Sequence, residues 1–121
     1  MVSLIMKIAH RKLRTMQAKK LERDVAKRRE NFNKMVERFK VPANIACKPF
    51  KIGDIPAEWV IAPNAESHRT ILYLHGGGYM VGSIEGYKAF AAQISRITRS
   101  RVVLIDYRLA PENPFPAALD D

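Results

Sequence analysis

The chain has 121 residues, of which 47% are hydrophobic and 27% charged, and its formal net charge is +9. The apolar fraction excludes a disordered chain, and the length excludes more than one ordinary domain. The chain has a single cysteine, Cys47, which excludes an internal disulfide and is typical of proteins in a reducing compartment. No stretch approaches the ~20 apolar residues of a membrane helix. We therefore predict a cytoplasmic protein.

The positive charge is concentrated in the first 40 residues, which hold 13 of the 21 Lys and Arg but 4 of the 12 Asp and Glu. This segment has no Pro or Gly, which predicts helix. Its apolar stripe changes face near Lys19 and Lys20, which indicates either two helices or one that bends there. The helical segment ends before Pro42. We interpret its basic run, residues 27–29, as a solvated face, with no nucleic-acid partner; contact with a membrane surface is the alternative.

Three strands are predicted next. Residues 48–52 and 55–61 flank Gly53-Asp54, which indicates a hairpin turn, and Pro56 indicates that its own strand lies at an edge of the sheet. After a turn at residues 63–67, the β-branched, aromatic and aliphatic run of residues 70–74 predicts a strand buried on both faces.

Three consecutive glycines, Gly76, Gly77 and Gly78, follow that strand. Without Cβ atoms they can take positive φ and expose their N–H groups, which suits either a phosphate or the oxyanion of an acyl-transfer intermediate. The phosphate motifs require Gly-x-Gly-x-x-Gly, or a Lys followed by Ser or Thr, and neither occurs here. His-Gly-Gly-Gly after a buried strand is instead typical of an oxyanion-hole loop; a glycine turn without chemistry is the alternative.

A helix and a further strand complete the pattern. Ser83 can cap a helix over residues 84–99, and residues 101–107 form a second apolar strand, so strand, loop, helix and strand predict a parallel α/β unit. The proline-rich residues 108–121 predict a shaped loop. Asp106, Arg108 and Glu112 could form an ion-pair network that stabilises this loop; a loosely solvated loop is the alternative.

Together these motifs resemble the hormone-sensitive-lipase-like esterases of the α/β-hydrolase fold. The resemblance is carried by His75-Gly-Gly-Gly-Tyr79 with Gly82-Ser83, and by Asp106-Tyr-Arg-Leu-Ala-Pro-Glu112 with Pro114-Phe-Pro-Ala117. It implies an α/β fold: the N-terminal part of an α/β-hydrolase sheet (residues 43–121), preceded by a basic helical cap segment (residues 1–42). It also implies cis peptide bonds before Pro111 and Pro116.

The resemblance further implies a serine-nucleophile hydrolase of a small acyl ester or lactone, with no cofactor and no metal. Gly76, Gly77 and Gly78 would supply backbone N–H groups to the oxyanion, and His75 would support their loop. No Gly-x-Ser-x-Gly elbow occurs in the 121 residues, so we expect a truncated chain that is inactive alone. The alternative function is a non-catalytic fragment or interaction protein that uses its basic N-terminal helices.

Overall fold

A computed structural model describes residues 25–121. The helix break or bend predicted near Lys19 and Lys20 lies outside them. The described elements follow the chain as helix α1 (Val25–Val36), strands β1 (Ala46–Ile52), β2 (Ile55–Ile61) and β3 (Glu66–Tyr73), helix α2 (Ile84–Thr98), strand β4 (Ser100–Ile105) and helix α3 (Ala117–Asp120). No helix within this part of the chain is long and apolar enough to cross a membrane.

The four strands form one mixed sheet in the order β1-β2-β4-β3. β1 and β2 make the predicted hairpin, and β2 pairs antiparallel with β4. β3 and β4 are adjacent and parallel, and α2 connects them. The prediction of an α/β fold with a parallel strand–helix–strand unit is therefore confirmed.

The core lies on both sides of β4, the strand with the deepest burial. Val102 and Leu104 face α2, where they meet Val60 and Ala91. The alternate residue, Val103, belongs to a second cluster on the opposite face of the sheet. Complete burial of an aliphatic side chain contributes roughly 1.5–3 kcal/mol, so β4 fixes the position of the loop that follows it.

Two predictions about strand position are wrong. β2 is a central strand and not an edge, and Pro56 is tolerated there because it precedes the β2–β4 ladder, which begins at Ala57. Its carbonyl still accepts a hydrogen bond from the Asp106 N–H at 2.9 Å. β3 is the edge strand: Ile71 and Tyr73 pack against the core, whereas Leu72 is 56% exposed because no described element covers its face.

Helix α2 begins and ends as its sequence predicts. The Ser83 hydroxyl accepts a hydrogen bond from the Gly86 N–H at 3.1 Å, and Arg99 closes the helix in the left-handed conformation with φ 55°. These caps satisfy backbone groups that a helix end would leave unpaired. The start of α2 is thereby fixed a few residues after the glycine loop.

Candidate active site

The glycine loop immediately follows β3 and has a conformation that requires glycine. Gly77 has φ 134° and Gly78 has φ 61°, which L side chains rarely adopt. The Gly77 carbonyl accepts hydrogen bonds from the N–H groups of Met80 and Val81, both at 3.2 Å. This tight turn leaves no room for a Cβ at Gly77, which would lie 2.6 Å from the Val81 carbonyl carbon.

The turn leaves backbone donors open beside a cleft. Within residues 25–121, neither the Gly77 nor the Gly78 N–H donates to a backbone or side-chain acceptor. Gly76, Gly77 and Gly78 all line a cavity of ≈ 510 Å³, whose other walls are mainly apolar: Leu72, Leu74, Ile105, Ala118 and Leu119. An apolar cavity with a few convergent polar groups is the usual form of a small-molecule site.

His75 lies beneath this loop and is 4% exposed. Its ring stacks between Tyr107 at 4.3 Å and Tyr87 at 5.5 Å between centroids, and its Nδ1 lies 3.0 Å from the Gly76 carbonyl oxygen. That geometry assigns the proton to Nδ1, which donates to the carbonyl. The Tyr107 hydroxyl lies 3.3 Å from the same Nδ1, while Nε2 is buried without a partner among the described residues, so in this structure the imidazole holds the loop through its Nδ1 side.

Gly82 provides the space that the His75 ring occupies. Its φ is 112°, and a Cβ there would lie 2.6 Å from His75 Cε1 and 2.7 Å from the Gly76 carbonyl oxygen. Real Cβ atoms do not approach other atoms so closely, so any larger residue at this position would displace the imidazole or the loop. The glycine at position 82 is therefore a packing requirement of the histidine.

Tyr107 connects the end of β4 to the loop. Its hydroxyl donates to the His75 carbonyl oxygen at 2.5 Å, and burial raises the pKa of the phenol above its ordinary value, with smaller contributions from Tyr79 and Tyr87. The hydroxyl therefore stays protonated and remains a donor at neutral pH. The parallel pairing of β3 and β4 places both strand ends at one edge of the sheet, where sites of α/β proteins form.

The predicted network among Asp106, Arg108 and Glu112 does not form, because each finds a different partner. The Asp106 carboxylate accepts from the Ile84 N–H at 2.6 Å, at the start of α2. Arg108 donates to Asp121 at 2.7 Å, and this hydrogen bond holds the pKa of the Asp121 carboxyl below its usual range. The proline-rich residues 108–121, which we call the proline loop, are thus ordered by contacts with neighbouring elements.

Arg29, on α1, is the residue that the sequence interpretation missed. Its Nη1 and Nη2 donate to the two carboxylate oxygens of Glu112, each at 2.8 Å, and its Nε donates to the Met80 carbonyl oxygen at 2.9 Å. The interpretation of residues 27–29 as a solvated face is wrong at Arg29. The Glu112 carboxylate in the proline loop indicates that a basic residue pairs with it, but no local sequence pattern identifies which basic residue does so.

Comparison with known proteins supports the α/β-hydrolase fold. Residues 71–121 match the model of an α/β-hydrolase-fold family. An acetyl-hydrolase of Streptomyces hygroscopicus is 40% identical over 70 residues, which are 58% of this chain and 23% of that protein. The crystal structure of an esterase/lipase from an uncultured bacterium superposes with a TM-score of 0.79 at 40% identity, over 85% of this chain and 34% of its own.

A crystal structure of an esterase from the bacterial hormone-sensitive lipase family superposes with a TM-score of 0.78 at 35% identity. The chain has the α/β-hydrolase fold and is similar to the N-terminal part of esterases of the bacterial hormone-sensitive lipase family. The match to the esterase covers 88% of this chain and 36% of that protein. The chain therefore spans about a quarter to a third of the length of these relatives.

In this α/β-hydrolase chain the four serines of residues 25–121 lie away from the cleft. Ser67 is exposed on β3, Ser83 caps α2, and Ser95 and Ser100 are buried. Within residues 25–121 no serine lines the cavity beside the glycine loop, and no group of three His, Cys, Asp or Glu side chains is placed to hold a metal ion.

The peptide bonds before Pro111 and Pro116 are cis, as the family resemblance implied.

Proposed function

We propose that this chain provides the oxyanion-binding part of a carboxylic ester hydrolase. Gly77 and Gly78, with Gly76 beside them, would donate backbone N–H groups to the oxygen that becomes negatively charged when a nucleophile attacks an ester carbonyl. The observation that carries the proposal is the pair of unpaired N–H groups, held at positive φ on the wall of an apolar cavity. Donors fixed before the reaction stabilise such an oxyanion without reorganisation, each contributing roughly 3–4 kcal/mol.

The substrate would be a small acyl ester or lactone whose acyl group lies against the apolar wall formed by Leu72, Leu74 and Leu119. The similarity to acetyl-hydrolases and esterases supports this class. His75 would act as support for the loop, because its Nδ1 is engaged by the Gly76 carbonyl and its ring is enclosed by two tyrosines. The nucleophilic serine and its base would come from outside these 121 residues, which contain no Gly-x-Ser-x-Gly.

A hybrid enzyme tests this proposal. The 121-residue chain would be joined to the part of the esterase/lipase from the uncultured bacterium that lies beyond the matched region, and hydrolysis of a short p-nitrophenyl ester would be measured. We expect turnover by the hybrid and none by the 121-residue chain alone, because an acyl-enzyme requires a nucleophile.

Two glycine substitutions provide the matched control. Alanine at position 77 keeps its N–H, but its Cβ would lie 2.6 Å from the Val81 carbonyl carbon, so the turn must shift and move this N–H away from the oxyanion position. Gly77→Ala in the hybrid should therefore reduce kcat by about 10²–10³, the typical effect of losing one oxyanion donor. Gly53→Ala also changes a glycine of positive φ, but that glycine lies in the distant β1–β2 turn and its substitution should leave kcat unchanged. A folded hybrid without turnover, or equal kcat values in the two variants, would contradict the proposal. Burst release of nitrophenol by the 121-residue chain would contradict the missing nucleophile and favour a different catalytic residue.

A further inference from the structure

The guanidinium group of Arg29 lies where three segments meet: helix α1, the end of the glycine loop and the proline loop. Besides its bonds to Glu112 and the Met80 carbonyl, its Nη2 donates to the Ala110 carbonyl oxygen at 3.2 Å. Glu112 responds to this contact, because the hydrogen bond from Arg29 lowers the pKa of its carboxyl from 4.5 to about 2. One side chain thus serves acceptors that are 51 to 83 positions away in the sequence.

The two loops that Arg29 joins are also bonded directly to each other. The Ala110 N–H donates to the Tyr79 carbonyl oxygen at 2.8 Å. Tyr79 has φ 58°, a left-handed conformation that a bulky residue keeps when its surroundings fix it. The next residue, Met80, is the one whose carbonyl Arg29 holds. The strained end of the glycine loop is therefore fixed from two sides.

We propose that Arg29 is a positioning residue for the oxyanion loop. By holding the Met80 carbonyl, Arg29 fixes the far end of the turn whose near end presents the Gly77 and Gly78 N–H groups to the cleft. Arg29 does not line that cleft, so its effect would pass through the loop and not through contact with substrate. This inference rests on the proposed function, since it deepens the description of the same site.

The geometry of the guanidinium group distinguishes this role from that of an ordinary surface ion pair. Exposed ion pairs contribute little, and a lysine can replace an arginine in them. Arg29 is 33% and Glu112 56% exposed, so the ion pair itself lies at the surface. What differs is that Arg29 Nε and Nη2 also donate to the part-buried carbonyl oxygens of Met80 and Ala110. A planar fork can bind a carboxylate with two nitrogens while Nε donates elsewhere, whereas the single ammonium of lysine cannot. The proposal therefore requires arginine and not merely a positive charge.

The test compares Arg29→Lys, Arg29→Gln and the control Lys34→Gln in the hybrid enzyme. Lys34 is on the same helix and pairs with Glu30 at the surface, so its variant removes one positive charge without touching either loop. We expect kcat to fall by about tenfold to a hundredfold in both Arg29 variants, the range for small misplacement of a catalytic group, with KM changed little. Lys34→Gln should behave as the parent hybrid.

A second measurement uses the 121-residue chain itself. Hydrogen exchange at the Ala110 amide, which bonds to Tyr79, should become faster in both Arg29 variants and stay unchanged in Lys34→Gln. Parental kcat in Arg29→Lys, or unchanged Ala110 exchange in both Arg29 variants, would overturn the inference. A folded parent hybrid without activity would instead refute the proposed function, and the exchange measurement would then decide whether Arg29 holds the loop.

Discussion

Replacement of Gly82 by alanine should be among the most destabilising single-methyl changes in this chain. The new Cβ would lie 2.6 Å from His75 Cε1 and 2.7 Å from the Gly76 carbonyl oxygen, at a φ of 112°. Backbone strain of this kind costs up to ~3 kcal/mol, and overpacking in a filled space adds ~1–3 kcal/mol. Alanine recovers ~0.4–1 kcal/mol by restricting the unfolded chain, so with strain of ~1–3 kcal/mol we expect a net loss of about 1–6 kcal/mol.

Two other glycines provide controls that isolate the steric contribution. Gly78 and Gly53 have φ 61° and 59°, and a Cβ at either would meet no atom within 4 Å. Each alanine should cost the left-handed strain of ~1–2 kcal/mol less the gain of ~0.4–1 kcal/mol in the unfolded chain, or about 1 kcal/mol. Urea unfolding of the three variants at one pH gives the free energies directly. Similar losses at all three positions would refute the claim that Gly82 provides space for His75.

Two further predictions concern the proline loop and the core. Glu112→Gln should make the free energy of unfolding less dependent on pH between pH 4.5 and 2. The pKa of Glu112 is lowered from 4.5 to about 2 in the folded chain, so the stabilisation by its carboxylate is present above pH 4.5 and is lost as the pH falls towards 2. Unfolding of both chains by urea between pH 5 and 2 measures this, and parallel curves would contradict it. Ser95→Ala should destabilise the fold by roughly 2–6 kcal/mol, since each of two orphaned groups costs ~1–3 kcal/mol. The buried Ser95 hydroxyl accepts from the Ala62 N–H at 2.9 Å and donates to the Ser100 carbonyl oxygen at 2.7 Å. Ser67→Ala, at an exposed position on β3, is its control, and equal midpoints for the two variants would show that these bonds carry little stability.

Local patterns were sufficient to predict the elements that bear the glycine loop. The β1–β2 hairpin, the cap at Ser83 and the apolar strand β4 each depend on residues that are close in sequence, so composition and spacing identify them. The positive φ values of Gly77 and Gly78 also follow from the run of glycines. The role of the loop in binding an oxyanion stays a prediction, which rests on its His-Gly-Gly-Gly motif.

The features that the sequence did not predict are contacts between residues that are far apart in the sequence. Pro56 indicated an edge strand, but strand order depends on pairing with β4, which lies far along the chain. In the same way, Arg29 sits in a run of basic residues and nothing near it marks its bonds to Glu112 and Met80. The sequence allowed an ion-pair network among Asp106, Arg108 and Glu112, but Asp106 and Arg108 are each bonded to another part of the fold.

The order of the strands also has a consequence for synthesis of the chain. The β1–β2 hairpin is synthesised once Ile61 has been added. β4, which pairs with the other edge of β2, is complete when Ile105 has been added. At typical translation rates that interval lasts about 2–9 s, during which this edge is open to other nascent chains. Pro56, which offers no N–H, and the charged Glu58 lie on this strand and should oppose such pairing.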